Sequence, residues 1–97
     1  MPKTTPQISV VDDDESMREA MRGLMKSLGY AAQAFASAED FLNSRQVPRT
    51  SCLIADVQMP AMSGIELQSH LRAIGNRVPF IFITAFPEDS EIGRAHV

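Results

Sequence analysis

The sequence predicts an open α/β sheet in which helices connect parallel strands. Four short segments have the composition of strands, and helical or turn patterns separate them. The strand segments are continuously apolar rather than alternating with polar residues, which is typical of a sheet covered on both faces. Acidic residues directly follow two of these segments. Together these observations indicate a layered α/β domain with right-handed crossovers.

The first strand is predicted over residues 8–11, where an apolar run ends in acids. Apolar residues recur at helical spacing in the next segment, at Met17, Ala20, Met21, Leu24, Met25 and Leu28. This spacing predicts an amphipathic helix over residues 16–28. Gly29 suits the left-handed position that ends many helices.

The middle of the chain continues the alternation of strands and helices. A second strand is predicted over residues 30–35. Ser37 with Asp40 resembles a capping box, with Asp in place of Glu, and predicts the start of a short helix. Residues 47–50 contain a proline and predict a turn.

The second half contains two further predicted strands. The third covers residues 52–55 and ends on Asp56, and a loop is predicted over residues 59–64. The spacing of Leu67, Leu71 and Ile74 predicts a third helix. The fourth strand, over residues 79–84, is the most β-prone run of the chain. Residues 86–89 predict a turn into a last segment over residues 90–97, which is too short to assign.

Composition limits the kinds of protein that this chain can be. Its 97 residues are enough for one small domain. A net charge of −3 and scattered basic residues argue against a nucleic-acid-binding surface, so we expect no direct contact with nucleic acid. We find no apolar run that suits a membrane span or a signal peptide. Cys52 is the single cysteine, which suits a reducing compartment, and we expect a cytoplasmic protein.

Acidic side chains are concentrated at the carboxyl ends of the first and third predicted strands, where open α/β sheets bind their ligands. If these strands are neighbours, Asp12, Asp13 and Asp56 lie within a few ångströms of one another. Three such carboxylates repel unless a cation screens them. Mg²⁺ prefers oxygen ligands of this kind. The sequence therefore predicts a magnesium site at this edge.

A solvated acidic loop that caps the first helix is the alternative for some of these residues. For Asp14 and Glu15 we prefer it, since acids in a first turn suit the helix dipole. For Asp12 and Asp13 taken alone both interpretations stay open. Asp56 favours the metal site, because it ends an apolar strand where a solvated charge has no structural role.

Asp56 also has the chemistry of a nucleophile. A carboxylate can accept a phosphoryl group when a metal screens its charge and donors hold the phosphoryl oxygens. The hydroxyl of Thr84, at the end of the fourth strand, is one candidate donor. Its alternative role is that of an ordinary β-branched strand residue.

Three segments at strand ends resemble motifs of the receiver domain of bacterial response regulators. They are Val10-Val11-Asp12-Asp13-Asp14, Asp56-Val57-Gln58-Met59-Pro60-Ala61-Met62-Ser63-Gly64 and Ile83-Thr84-Ala85. The resemblance extends from residue 8 to about residue 91. It implies a flavodoxin-like (CheY-like) open parallel sheet with strand order 2-1-3-4-5. Residues 37–42 also resemble the subfamily whose full-length members carry a helix-turn-helix DNA-binding domain.

The resemblance implies a role for each matching residue. Asp56 accepts the phosphoryl group, Asp13 binds Mg²⁺ directly, and Asp12 binds it mostly through water. The backbone carbonyl of Gln58 supplies a further metal ligand. Thr84 contacts a phosphoryl oxygen and moves on activation. The implied partner is a sensor histidine kinase, and the chain itself is expected to be a phosphoacceptor rather than an enzyme.

The chain departs from the family pattern after its fourth strand. Receiver domains have a fifth strand ending in Lys-Pro, followed by a fifth helix, whereas the only lysines here are Lys3 and Lys26. Residues 1–97 are therefore expected to form a receiver that is incomplete at its C-terminus, with sheet order 2-1-3-4. We expect a homodimer, through the exposed fourth strand or by exchange of elements between chains. A fragment that no longer signals and only self-associates or binds a partner is the alternative.

Two other α/β families fit less well. The run of acids at residues 12–14 also matches the D-x-D motif of haloacid-dehalogenase-type phosphatases, but Ser16 stands where that motif has Thr or Val. This interpretation leaves Met59-Pro60 unexplained. A flavodoxin-like FMN binder is weaker still, since no phosphate-binding loop rich in Ser, Thr and Gly follows the first strand.

Overall fold

A computed structural model describes residues 5–83 of the chain. Strands and helices alternate along this part, with one 3₁₀ turn before the third strand. In chain order the elements are β1 (Gln7–Val11), α1 (Glu15–Ser27), β2 (Ala31–Phe35), α2 (Ala38–Leu42), the 3₁₀ turn (Val47–Arg49), β3 (Cys52–Asp56), α3 (Gly64–Ala73) and β4 (Phe80–Ile83). Within the described residues no helix is long and apolar enough to cross a membrane.

The four strands form one parallel sheet in the order β2-β1-β3-β4. The strand β1 lies in the interior, with Val11 opposite Phe35 of β2 on one side and opposite Ala55 of β3 on the other. Asp56 of β3 lies opposite Ile83 of β4. The predicted fold class and strand order are therefore confirmed.

The first helix begins one residue earlier than predicted because Asp14 caps it. The Asp14 carboxylate accepts hydrogen bonds from the backbone N–H groups of Ser16 and Met17. Helix α1 ends at Ser27, and Gly29 has φ +97°, as expected for a left-handed residue after a helix. The preferred role of Asp14, as a helix cap, is confirmed.

The third helix has a start signal inside the segment that was predicted to be a loop. The Ser63 hydroxyl accepts from the backbone N–H of Glu66, and the Glu66 carboxylate accepts from the N–H of Ser63. This reciprocal pair is a full capping box, which satisfies two donors that the helix leaves free. It places the beginning of α3 directly after the loop that follows β3.

The two faces of the sheet are covered to different extents. On one face α2 and α3 contribute Phe41, Leu67 and Leu71, all fully buried, to the larger core cluster. On the other face α1 contributes Met21 and Met25, which are only partly buried, and no residue of α1 is fully buried. Side chains of β1 and β3 alternate between the two clusters, as the pleat of a strand requires.

The fourth strand is the least buried strand of the described sheet. It pairs with β3, and the Ile81 side chain is 53% exposed. The predicted strand interpretation is confirmed for Phe80–Ile83. Thr84 and the last segment, residues 90–97, lie outside the described residues.

Candidate metal site

The site forms where two neighbouring parallel strands end. Asp12 follows the last residue of β1, Asp56 is the last residue of β3, and Asp13 lies in the turn that leads into α1. One carboxylate oxygen from each of the three lies within 4.8 Å of the others. Asp12 and Asp56 are buried, whereas Asp13 is exposed. The predicted convergence of these three residues is confirmed.

Asp12 is fixed by three hydrogen bonds. Its backbone N–H donates to the carbonyl of Phe35 at 3.1 Å, and its Oδ1 accepts from the N–H of Asp14 at 2.9 Å. Its backbone carbonyl accepts from the Arg18 guanidinium, with Nη1 at 2.9 Å. Residues 12–14, which we call the acidic turn, are thus attached both to the sheet and to α1.

Asp56 is held from two directions. Its Oδ1 accepts from the backbone N–H of Gln58 at 3.1 Å. Behind it, Gly64 approaches so closely that a Cβ added there would lie 2.4 Å from the backbone oxygen of Asp56. The start of α3 is therefore packed against the residue that ends β3.

The electrostatics of the cluster favour a bound cation. Burial raises the pKa of Asp12, and the negative charges of Asp56, Asp13 and Asp14 raise it further, while the hydrogen bond from the Asp14 N–H lowers it. Keeping Asp12 ionised therefore costs free energy, and a bound divalent cation would offset this cost. The donor set consists of carboxylate oxygens, which is the chemistry that Mg²⁺ selects. The residues present therefore fit a magnesium ion.

The remaining predicted site residues have different outcomes. Gln58 is next to the cluster, and its N–H orients Asp56, but a role for its carbonyl as a metal ligand stays a prediction. Thr84 lies outside the described residues, so its role also stays a prediction. Arg18 was not predicted as a site residue, because its spacing along α1 does not distinguish it from Arg22. The only signal was a basic residue one turn after the acids.

The comparisons with known proteins decide the family. The family model described as "Response regulator receiver domain" matches residues 8–96. The chain belongs to the response regulator receiver family. Its similarity to "Response regulator protein TodT" of Pseudomonas putida is 42% identity over 77 residues, covering 79% of this chain and 34% of the relative. "Transcriptional regulatory protein FixJ" of Azorhizobium caulinodans is 37% identical over 84 residues, covering 87% and 39% respectively.

Solved structures agree with this receiver assignment. The response regulator StyR superposes with a TM-score of 0.79 at 45% identity, covering 88% of this chain and 43% of that one. A receiver protein from Burkholderia phymatum gives 0.72 at 42% identity, with coverage of 94% and 74%. CheY4 from Vibrio cholerae gives 0.76 at 27% identity, with coverage of 95% and 80%.

This receiver chain spans well under half the length of the curated relatives it matches, 34% of TodT and 39% of FixJ. The comparisons support the receiver interpretation that the three motifs predicted. They give no support to the phosphatase alternative, or to a fragment that only self-associates.

Proposed function

We propose that this receiver domain is the phosphoacceptor of a two-component response regulator and that Asp56 carries the phosphoryl group. The observation that carries the proposal is the convergence of three carboxylates, two of them buried, at the ends of β1 and β3. Buried like charges are costly to a fold unless they serve a ligand. The family assignment supports the same chemistry.

The geometry around Asp56 suggests which atom reacts. Oδ1 accepts from the Gln58 N–H, so we assign Oδ2 as the nucleophile. In the transfer a bond forms between Oδ2 and phosphorus, and the bond from phosphorus to its leaving group breaks. When bound, Mg²⁺ supplies charge screening between the carboxylate and the incoming phosphoryl group. Asp12, Asp13, Asp56 and the Gln58 carbonyl would hold it.

The proposed phosphodonor is a sensor histidine kinase in the cytoplasm. The family assignment supports this partner, as do relatives that are themselves described as response regulators. In this role the kinase donates the phosphoryl group, and Asp56 of this chain accepts it. The Thr84 hydroxyl is proposed to contact a phosphoryl oxygen.

Mg²⁺ should raise the melting temperature of the chain. A ligand that binds only the folded state adds about 2.7 kcal/mol at a hundredfold excess over its Kd. Thermal melts with and without Mg²⁺ measure this effect. We expect Asp13→Ala to lose the shift and Asp40→Asn, an exposed acid outside the cluster, to keep it. An unchanged melt for the wild-type chain, or an equal shift for Asp13→Ala, would refute the magnesium site.

Pairing of two chains through β4 stays a prediction. Within residues 5–83 the sheet ends on β4, and half of the Ile81 side chain is open to solvent. Uncharged apolar edge strands tend to pair with one another. Sedimentation velocity at micromolar concentration should show a dimer, and Ile81→Lys should shift it to monomer. A wild-type chain that sediments as a monomer at every concentration contradicts the prediction.

A further inference from the structure

The guanidinium of Arg18 holds the backbone of the acidic turn. Its Nη1 donates to the carbonyl of Asp12 at 2.9 Å. Val11 is the last residue of β1 that pairs with β2 and with β3. The carbonyl of Asp12 therefore lies one residue beyond the strand pairing. A half-buried side chain from the first turn of α1 therefore replaces the partner that a neighbouring strand would have provided.

Of the three hydrogen bonds that fix Asp12, this is the one whose donor is a charged group. Hydrogen bonds from a guanidinium are shorter and stronger than neutral ones. Loss of the donor would leave the backbone carbonyl of Asp12 without a hydrogen-bond partner. The turn would then shift to expose this carbonyl to water. The Asp12 carboxylate would move with the turn, away from Asp56 on β3.

We propose that Arg18 is a positioning residue that sets the affinity of the acidic cluster for a divalent cation. It acts through the backbone of Asp12 and makes no contact with the ion. This role rests on the magnesium site proposed above. The positive charge of Arg18 also repels a nearby cation. Positioning by Arg18 and repulsion by its charge therefore change the affinity for the cation in opposite directions. Positioning predicts weaker binding when the side chain is removed, whereas charge repulsion alone predicts tighter binding.

The test is isothermal titration of the whole chain with Mg²⁺. For Arg18→Ala we expect the Kd to rise about tenfold, equivalent to about 1.4 kcal/mol. Arg18→Lys keeps the charge and one donor, so its Kd should lie between those of Arg18→Ala and the wild type. Arg22→Ala is the matched control, because Arg22 lies on the same helix and pairs with Glu19 at 2.6 Å. Its Kd should equal that of the wild type.

A second measurement separates positioning from general damage. At saturating Mg²⁺ the rate at which acetyl phosphate labels Asp56 in Arg18→Ala should return to the wild-type rate, because excess ion restores the turn. A maximal rate that stays low would overturn the role, as would an equal effect of Arg22→Ala.

The outcomes also distinguish this role from the site on which it rests. No Mg²⁺ binding by the wild type refutes the site and this role together. Wild-type binding with an unchanged or tighter Kd in Arg18→Ala refutes the positioning role alone. If Arg18→Ala does not fold, Arg18→Lys decides the question, and a Kd equal to that of the wild type overturns the role.

Discussion

Asp56→Asn is expected to abolish phosphorylation of the chain. The wild type, incubated with acetyl phosphate and Mg²⁺, should gain the mass of one phosphoryl group, because Asp56 offers a carboxylate oxygen as nucleophile. An amide is not nucleophilic enough to replace it. The amide oxygen of the variant can still accept from the Gln58 N–H, so the loop should keep its conformation. Intact-protein mass spectrometry measures the modification.

Two controls make this result specific to Asp56. Hydroxylamine should remove the added mass, because it cleaves acyl phosphates and leaves phosphoserine and phosphothreonine intact. Asp40→Asn removes an exposed carboxylate of α2 and should be labelled like the wild type. Labelling that persists in Asp56→Asn, or resists hydroxylamine, would place the phosphoryl group on another residue.

Gly64→Ala is expected to cost about 2–3 kcal/mol of folding free energy, as overpacking in a rigid environment does. The new methyl carbon would lie 2.4 Å from the backbone oxygen of Asp56 and 3.3 Å from the Cβ of Ala55. These atoms belong to β3, an interior strand of the described sheet, and cannot rotate away. Gly64 has no positive φ, so the cost is steric rather than conformational. Urea unfolding followed by circular dichroism gives the free energy.

Gly23→Ala provides the matched control for Gly64→Ala. Gly23 also lies within a helix, but a Cβ added there meets nothing within 4 Å. The same substitution should therefore stabilise the chain by about 0.5–1 kcal/mol through helix propensity. Equal effects of the two substitutions would show that the close approach of Gly64 to Asp56 does not matter. Gly64→Ala should also slow labelling of Asp56, because α3 is displaced against it.

Local patterns and the family resemblance together predicted the sheet and the acidic cluster. The strand at residues 52–55 is apolar throughout and ends on Asp56, so both its position and its last residue could be predicted from composition. The convergence of Asp12 with Asp56 then followed from parallel strands having their carboxyl ends at one edge. The composition of each strand is local information, whereas the adjacency of β1 and β3 was implied by the family resemblance.

Contacts that depend on how the helices start and pack could not be predicted in this way. The approach of Gly64 to Asp56 depends on where α3 packs, and nothing in the loop composition encodes that distance. Arg18 reaches Asp12 while Arg22 pairs with Glu19, and this difference depends on the direction in which α1 leaves the turn. The capping box of Ser63 and Glu66 was visible as S-x-x-E but lay in a segment assigned to a loop.

The unequal burial of the two sheet faces has a consequence for how the site is assembled. Asp56 belongs to the half of the domain that α3 covers with fully buried leucines, whereas Asp12 and Asp13 lead into α1, which buries no residue fully. Regions with few buried apolar contacts open locally at lower free energy than the core. The side of the site that contains Asp56 is therefore preorganised, and the side that contains Asp12 and Asp13 is more compliant. Binding of a cation between the two sides would restrict the more compliant one, so part of the binding free energy would be used to order the start of the first helix.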